Sequence, residues 1–273
     1  MFTSNPFTTL PEVISPAMMQ GYIVLMVLLV MGGTILDMLH KKSAKYFFEN
    51  AKKAQKNAKR DVSSKKVGMA VSVLVNEVLT SGEFKNSRRR LSHLLTMWGT
   101  IIFIVTTAIM IFSPGTASTL LPTLWHLGAL MLAVGGYWFW FAIRVDVSAE
   151  GLPWFRFERA DLFILSLLAT STFALLWSFT GAGLSIFFAL FILSSTVLFG
   201  GVYWSKFAHM FFKPAAAFQK RVIMADGGRE NLPPDYDLTD PEVQRKFPDV
   251  PMYMGKNPPN MGLCIKAEKP KHY

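Results

Sequence analysis

Residues 91–112 read LSHLLTMWGTIIFIVTTAIMIF, and this stretch decides the fold. It holds no acid, no lysine and no arginine. A helix of that length rises about 33 Å, enough to cross a hydrocarbon core of roughly 30 Å. Working outward, four further stretches are similarly apolar, with Asp37 their one charged residue: residues 22–39, 120–143, 162–179 and 184–204. Barrel strands would alternate apolar and polar side chains, and these do not. Hydrophobic residues make up 51% of the 273 and charged residues 17%, against about 25% charged in ordinary soluble domains. Disorder is excluded, and five buried helices of a soluble protein would leave too little polar surface. The expectation is an all-α integral membrane protein with five transmembrane helices.

Charge sets the orientation. Of the 28 Lys and Arg, fourteen lie within residues 41–90, three are Arg144, Arg156 and Arg159, and eleven lie from Lys206 to Lys271. With five spans, all three groups fall on one side, which the positive-inside rule makes cytoplasmic. The amino terminus is then outside and the carboxyl terminus inside, in a multi-pass protein of the inner membrane. The amino-terminal segment lacks the basic stretch of a cleavable secretory signal, so the first helix enters as an uncleaved anchor. Net charge is +10. Because the cations flank membrane spans, they imply attraction to membrane lipid and to partner proteins, not to nucleic acid.

Three regions follow: an outer segment 1–21, a membrane domain 22–212 that includes the basic loop 41–90, and a proline-rich tail 213–273. Within the loop, residues 43–60 extend the first helix. Val67, Ala70, Val71, Leu74, Val75, Val78 and Leu79 have the spacing of an amphipathic cytoplasmic helix. The tail carries nine prolines and has no apolar period, so it reads as an extended arm. Between the prolines it spaces Tyr236, Leu238, Phe247, Val250, Met252, Tyr253, Met254, Met261 and Leu263 as anchors for a partner.

Chemistry-bearing residues are few. The single cysteine, Cys264, excludes an internal disulfide and any iron–sulfur or zinc site built from this chain's own cysteines. His40, His93 and His209 stand near the cytoplasmic face, His126 lies toward the outer side, and His272 is in the tail. A b-type heme needs two imidazoles at one depth. His93 and His209 meet that condition, and Arg88, Arg89 and Arg90 would neutralise the propionates. Interfacial histidines and arginines without a metal are the plain alternative. His126 has no histidine partner at its depth. Asp37 and Asp161 sit near cytoplasmic helix ends as caps or ion-pair partners. No chain of acids crosses the bilayer, which argues against a proton-coupled transporter. Ser and Thr on the fourth and fifth spans, and the glycine pairs at 32–33, 135–136 and 200–201, read as helix-packing positions.

Three stretches carry a resemblance: residues 36–43 (LDMLHKKS), 88–99 (RRRLSHLLTMWG) and 206–209 (KFAH). With five spans and an outside amino terminus, the chain resembles the membrane subunits related to the nitrate reductase gamma subunit. Within that group it is most similar to the membrane anchor associated with dissimilatory adenylylsulfate reductase, a relative of the membrane subunit of the quinone-interacting oxidoreductase complex. The resemblance covers residues 18–212. It implies electron exchange between membrane quinone and a cytoplasmic flavin and iron–sulfur enzyme, adenylylsulfate reductase, with His93 and His209 matching the heme ligands on the second and fifth helices. The chain departs from those relatives in having no cysteine-rich cluster domain, two ligand histidines where some have four, and Ser81 and Asn86 where a histidine and a cysteine often stand. The expected function is a membrane anchor and electron-transfer subunit, a quinone-interacting part of an oxidoreductase rather than the catalyst of the sulfur chemistry. The rival expectation is a heme-free scaffold that only recruits the soluble enzyme. A small-solute transporter is a third class, disfavoured by the lack of an inverted repeat.

Overall fold

The computed structural model describes residues 2–41, 43–82, 84, 86–114, 119–146, 151–205, 209–228, 230 and 241–246, and at 41, 43, 44, 209, 211 and 244 it describes backbone alone. Among the described residues there is no strand. The helices are α1 (Pro16–Lys41), α2 (Ser43–Lys56), α3 (Lys66–Val73), α4 (Ser87–Phe112), α5 (Leu120–Trp138), α6 (Leu162–Phe179), α7 (Ile186–Gly200), α8 (His209–Ala225) and α9 (Pro241–Lys246). π-helical turns prolong α3 through Leu74–Leu79 and α5 through Phe139–Ile143. The chain divides into two units, Met1–Ala44 with Ser72–Ala215, and Lys45–Val71 with Ala216–Tyr273.

In the first unit four helices are long and apolar enough to cross a membrane: Pro16–His40, Ser87–Phe112, Leu120–Ile143 and Arg159–Phe179. The fifth, α7, has 15 residues, about 22 Å at 1.5 Å per residue. The expected fifth span, 184–204, is regular only in this middle part. Ser185 caps its start, with Oγ accepting from Phe188 N at 3.3 Å, and the chain leaves the helix at Gly201. The first span begins earlier than expected, at Pro16, where Ser15 Oγ accepts from Met18 N. Proline suits a first helical turn, whose N–H groups have no intrahelical acceptor. Asn86 caps α4, its Oδ1 accepting from Arg88 N at 2.9 Å and Arg89 N at 3.3 Å.

The five apolar helices close a ring: α1 against α4, α4 against α5, α5 against α6, α6 against α7, and α7 back against α1. Glycine sets the closest approach. A Cβ on Gly99 would lie 2.6 Å from Leu132 N, one on Gly128 2.7 Å from Phe103 N, and one on Gly135 2.8 Å from Leu95 Cβ. Ser92 Oγ seals the same seam by donating to Gly135 O at 2.8 Å. Gly33 is likewise tight, 2.8 Å from Val202 Cβ, whereas Gly32 faces open space. Several small polar residues of α6 and α7 turn their hydroxyls onto their own helix, Ser166 onto Leu162 O, Ser171 onto Leu168 O and Ser195 onto Phe191 O, whereas Thr172 reaches Tyr137 on α5.

One end of the ring is filled by aromatic rings. Trp125 and Trp177 are fully buried and Phe7, Phe103 and Phe191 nearly so. Trp177 stacks on Phe191 at 5.8 Å, and Phe7 meets Trp177 edge-on at 5.2 Å. Both indole N–H groups are satisfied, by Thr107 Oγ1 and by Gly183 O. The segment before α1 is thus part of the core: Phe7 and Leu10 are buried in it.

At the other end, Arg144 follows the π-turn of α5 with its side chain fully buried. It donates to Asp161 Oδ2 at 2.6 Å, Pro153 O at 2.7 Å and Arg156 O at 2.7 Å. Its guanidinium also lies 4.2 Å from the Trp140 ring centroid. Asp161 in turn accepts from Glu158 N and opens α6. The loop so fixed displays Trp154, Phe155 and Phe157, all exposed, with Phe157 stacked on Trp140.

In the second unit, the turn after α8 packs on the end of α2. Lys59 N donates to Asp226 O at 3.0 Å, and Asn57 Nδ2 to Glu230 Oε2 at 2.6 Å. Gly227 has φ +75°, and a Cβ on Gly228 would meet Asn57 O at 2.8 Å. Asp61 accepts from the Ser63 hydroxyl and backbone N–H, which hold its carboxyl below the usual carboxylate range. Residues 213–225, read from sequence as the start of an open tail, form the body of α8. The tail anchors Tyr236, Leu238, Phe247, Val250, Met252, Tyr253, Met254, Met261 and Leu263, and also Lys206, Phe207, Ala208, Cys264 and His272, lie outside the described residues. The expected amphipathic helix is α3 with its π-helical continuation, and Val67, Val71, Leu74, Val75 and Leu79 are exposed along it.

Candidate functional site

The sequence places His93 two turns into α4, and a turn in the chain just before that helix surrounds it. The π-helix ends at Thr80, Gly82 N donates back to Asn76 O at 2.8 Å, and Ser81 takes φ 50°, a left-handed conformation that costs a non-glycine residue energy. That conformation turns the Ser81 hydroxyl, fully buried, to 2.8 Å from His93 Nδ1. Phe84 follows, its ring centroid 4.9 Å from the imidazole. Two cations share the Phe84 ring, the Arg89 guanidinium at 5.4 Å and Lys213 Nζ at 5.3 Å. Arg90 turns the other way and donates Nε–H to Thr80 O at 2.8 Å.

The structure therefore brings together His93, Arg89, Arg90 and Lys213 about Ser81 and Phe84, with Arg88 exposed beside them. His209 is the first residue of α8, and its side chain is outside the description, so its pairing with His93 is an expectation carried forward. In the tautomer that donates from Nδ1 to Ser81 Oγ, Nε2 holds the lone pair. A hydrogen bond on one ring nitrogen is how metal-bound histidines are usually oriented, and the Ser81 bond gives His93 that feature. Among the described residues no three His, Cys, Asp or Glu side chains group to hold a bare metal ion.

Ser81 entered the sequence reading only as a departure from the resemblance, and Phe84 not at all. The local signal was Ser81-Gly82 ending an apolar run, a turn signature. Next to the same turn, an apolar crevice of about 480 Å³ opens among Leu79, Thr80, Leu94, Trp98, Ile102 and Met131. Trp98 Nε1 donates to Leu79 O at 3.2 Å across it.

The other two histidines with described side chains have other work. His126 is buried, with Nδ1 donating to Pro122 O and Nε2 accepting from Ser178 Oγ, each at 2.7 Å. Both nitrogens are used, which makes it a core histidine. His40 packs its ring edge-on to Tyr203 at 5.6 Å.

Compared with known proteins, the chain matches no family, no characterised protein and no solved structure. The resemblance described above rests on its three short stretches alone; what the structure itself supports is a helical protein with four membrane-length apolar helices and a shorter fifth.

Proposed function

We propose that the chain is a five-span protein of the inner membrane, amino terminus outside and carboxyl terminus cytoplasmic. In this reading α7 crosses as a short fifth span, and the protein anchors a cytoplasmic flavin and iron–sulfur reductase. By resemblance that enzyme is adenylylsulfate reductase, and the chain links it to the quinone pool. The observation that carries the reading is charge placement: all 28 Lys and Arg fall in three segments that an odd number of spans puts on one side. That face suits an acidic soluble partner.

His93 and His209 would supply the axial imidazoles of a b-type heme, and Arg88, Arg89 and Arg90 would meet its propionates. Such a heme, when bound, takes up and releases one electron at a time. The chain's own part is to orient the His93 imidazole through Ser81 and to keep positive charge beside it. The heme-free scaffold is the second reading. It is favoured by the Ser81 hydroxyl and the Phe84 ring, which position the His93 imidazole through protein contacts alone.

A reduced-minus-oxidised spectrum of the purified protein separates the two. Heme bands that persist in His272→Ala and vanish in His209→Ala support the electron-transfer reading, and a wild-type protein without heme absorption leaves the scaffold. Recruitment is tested by ending the chain after Arg229. The truncated protein should stay in the membrane fraction and lose the reductase on co-purification. Full retention of the enzyme would assign docking to residues 41–90 instead.

A further inference from the structure

We infer that the crevice beside α4 seats an anionic phospholipid, with an acyl chain in the crevice and the phosphodiester on the Arg90 guanidinium group. The argument rests on α4 lying in a bilayer and on neither a heme nor a docked enzyme; it gives Arg90 a phosphate in place of a propionate and leaves Arg88 and Arg89 to any heme.

The crevice is apolar along its whole lining, and Leu94, Trp98 and Ile102 run about 12 Å down the helix at 1.5 Å per residue. The Trp98 ring is fixed as a wall by its bond to Leu79 O. Arg90 stands one turn before Leu94, at the basic end of the helix. Its Nε is committed to the carbonyl of Thr80, itself a lining residue. The guanidinium is therefore held at the mouth, and among the described residues its two Nη groups have no partner. A planar fork with two unused N–H groups matches a phosphate bidentately. Its place one turn beyond the apolar crevice repeats the order of phosphate and acyl chain in a phospholipid. The net charge of the occupant follows from the neighbours. Three successive arginines, Arg88, Arg89 and Arg90, give this end of α4 a positive potential that favours a net-anionic headgroup over a zwitterionic one.

The test uses the full chain in nanodiscs made from equal amounts of phosphatidylglycerol and phosphatidylcholine, with retained lipid counted by native mass spectrometry. Wild type should retain one phosphatidylglycerol in preference to phosphatidylcholine. Arg90→Gln should lower that retention about tenfold, the loss expected for one charged hydrogen-bonding partner. Arg90→Lys, which keeps the charge but loses the fork and the tie to Thr80, should be intermediate. Leu94→Trp, which fills the crevice and leaves every arginine in place, should lower retention even if the Arg90→Gln protein does not fold. Arg156→Gln, at another cation, should change nothing. Equal retention of the two lipids would overturn the proposal, as would an unaffected Leu94→Trp, an Arg156→Gln loss equal to that of Arg90→Gln, or full displacement by inorganic phosphate. Release of the chain from membranes by alkaline wash would defeat the multi-span reading and this proposal together, whereas an absent heme or a missing reductase touches neither.

Discussion

Replacing Arg144 by Met should destabilise the membrane domain by about 3–5 kcal/mol, the usual cost of removing one partner from a buried ion pair. The figure follows from what remains behind. Arg144 is fully buried and holds the Asp161 carboxylate at 2.6 Å, so its loss strands a charge whose own side chain is 12% exposed. Two backbone carbonyls, of Pro153 and Arg156, lose their donor at the same time. An unsatisfied buried acceptor costs about 1–3 kcal/mol. The cation–π contact with Trp140 at 4.2 Å disappears as well. Against these losses stands a gain, since Arg144 Nε is itself buried without a partner. For a domain of this size about 2–4 °C of melting temperature accompany each kcal/mol, so Arg144→Met should melt roughly ten degrees below wild type in the same detergent. Asp161→Leu in the Arg144→Met background should recover part of the loss, because no charge is then left unpaired. A double-mutant cycle read by thermal unfolding checks both statements. Strict additivity, or a single-mutant shift of only a degree or two, would refute the idea that this pair fixes the loop between α5 and α6.

Gly128→Leu should cost about 1–3 kcal/mol through overpacking against Phe103, while Gly32→Ala, in open helical space, should be neutral or stabilising by up to about 1 kcal/mol; thermal unfolding of the pair checks the assignment of tight and open glycines. Ser81→Ala should release the His93 ring from its single tautomer and cost about 0.5–1.5 kcal/mol, and Ser81→Gly should lose the same hydroxyl but relieve the φ of 50°, so nitrogen-15 spectra of the imidazole should agree while the glycine variant melts higher. Tags at Met1 and Tyr273 should report opposite sides of the membrane with Tyr273 cytoplasmic, and protease access to Tyr273 on intact cells would overturn the orientation.

Helix positions were legible because a span announces itself by composition alone: residues 91–112, 120–143 and 162–179 lie inside α4, α5 with its π-turn, and α6. Boundaries were less so. Ser15-Pro16 starts α1 six residues ahead of its apolar stretch, and Gly201 cuts α7 short, both through local backbone chemistry that hydropathy does not weigh. The pairing of Asp161 with a nearby cation was foreseeable, but the choice of Arg144 depends on the turn that folds residues 151–158 back. Phe7 and Leu10 read as part of an outer segment because their partners, Trp125 and Trp177, are more than a hundred residues away. Nor does spacing show that Ser81 would reach His93, since the left-handed turn that aims it is a strained state no propensity favours.

The aromatic filling at one end of the ring also bears on what passes through the protein. A hydrated ion or sugar moving along the bundle axis would have to displace Trp125 and Trp177, both fully buried, and to break indole hydrogen bonds to Thr107 and Gly183. Matter is therefore barred where the rings are densest. An electron is not, because tunnelling runs through bonded and touching atoms and weakens across gaps. In the electron-transfer reading proposed above, the packing that obstructs solutes would also serve as the medium between redox centres.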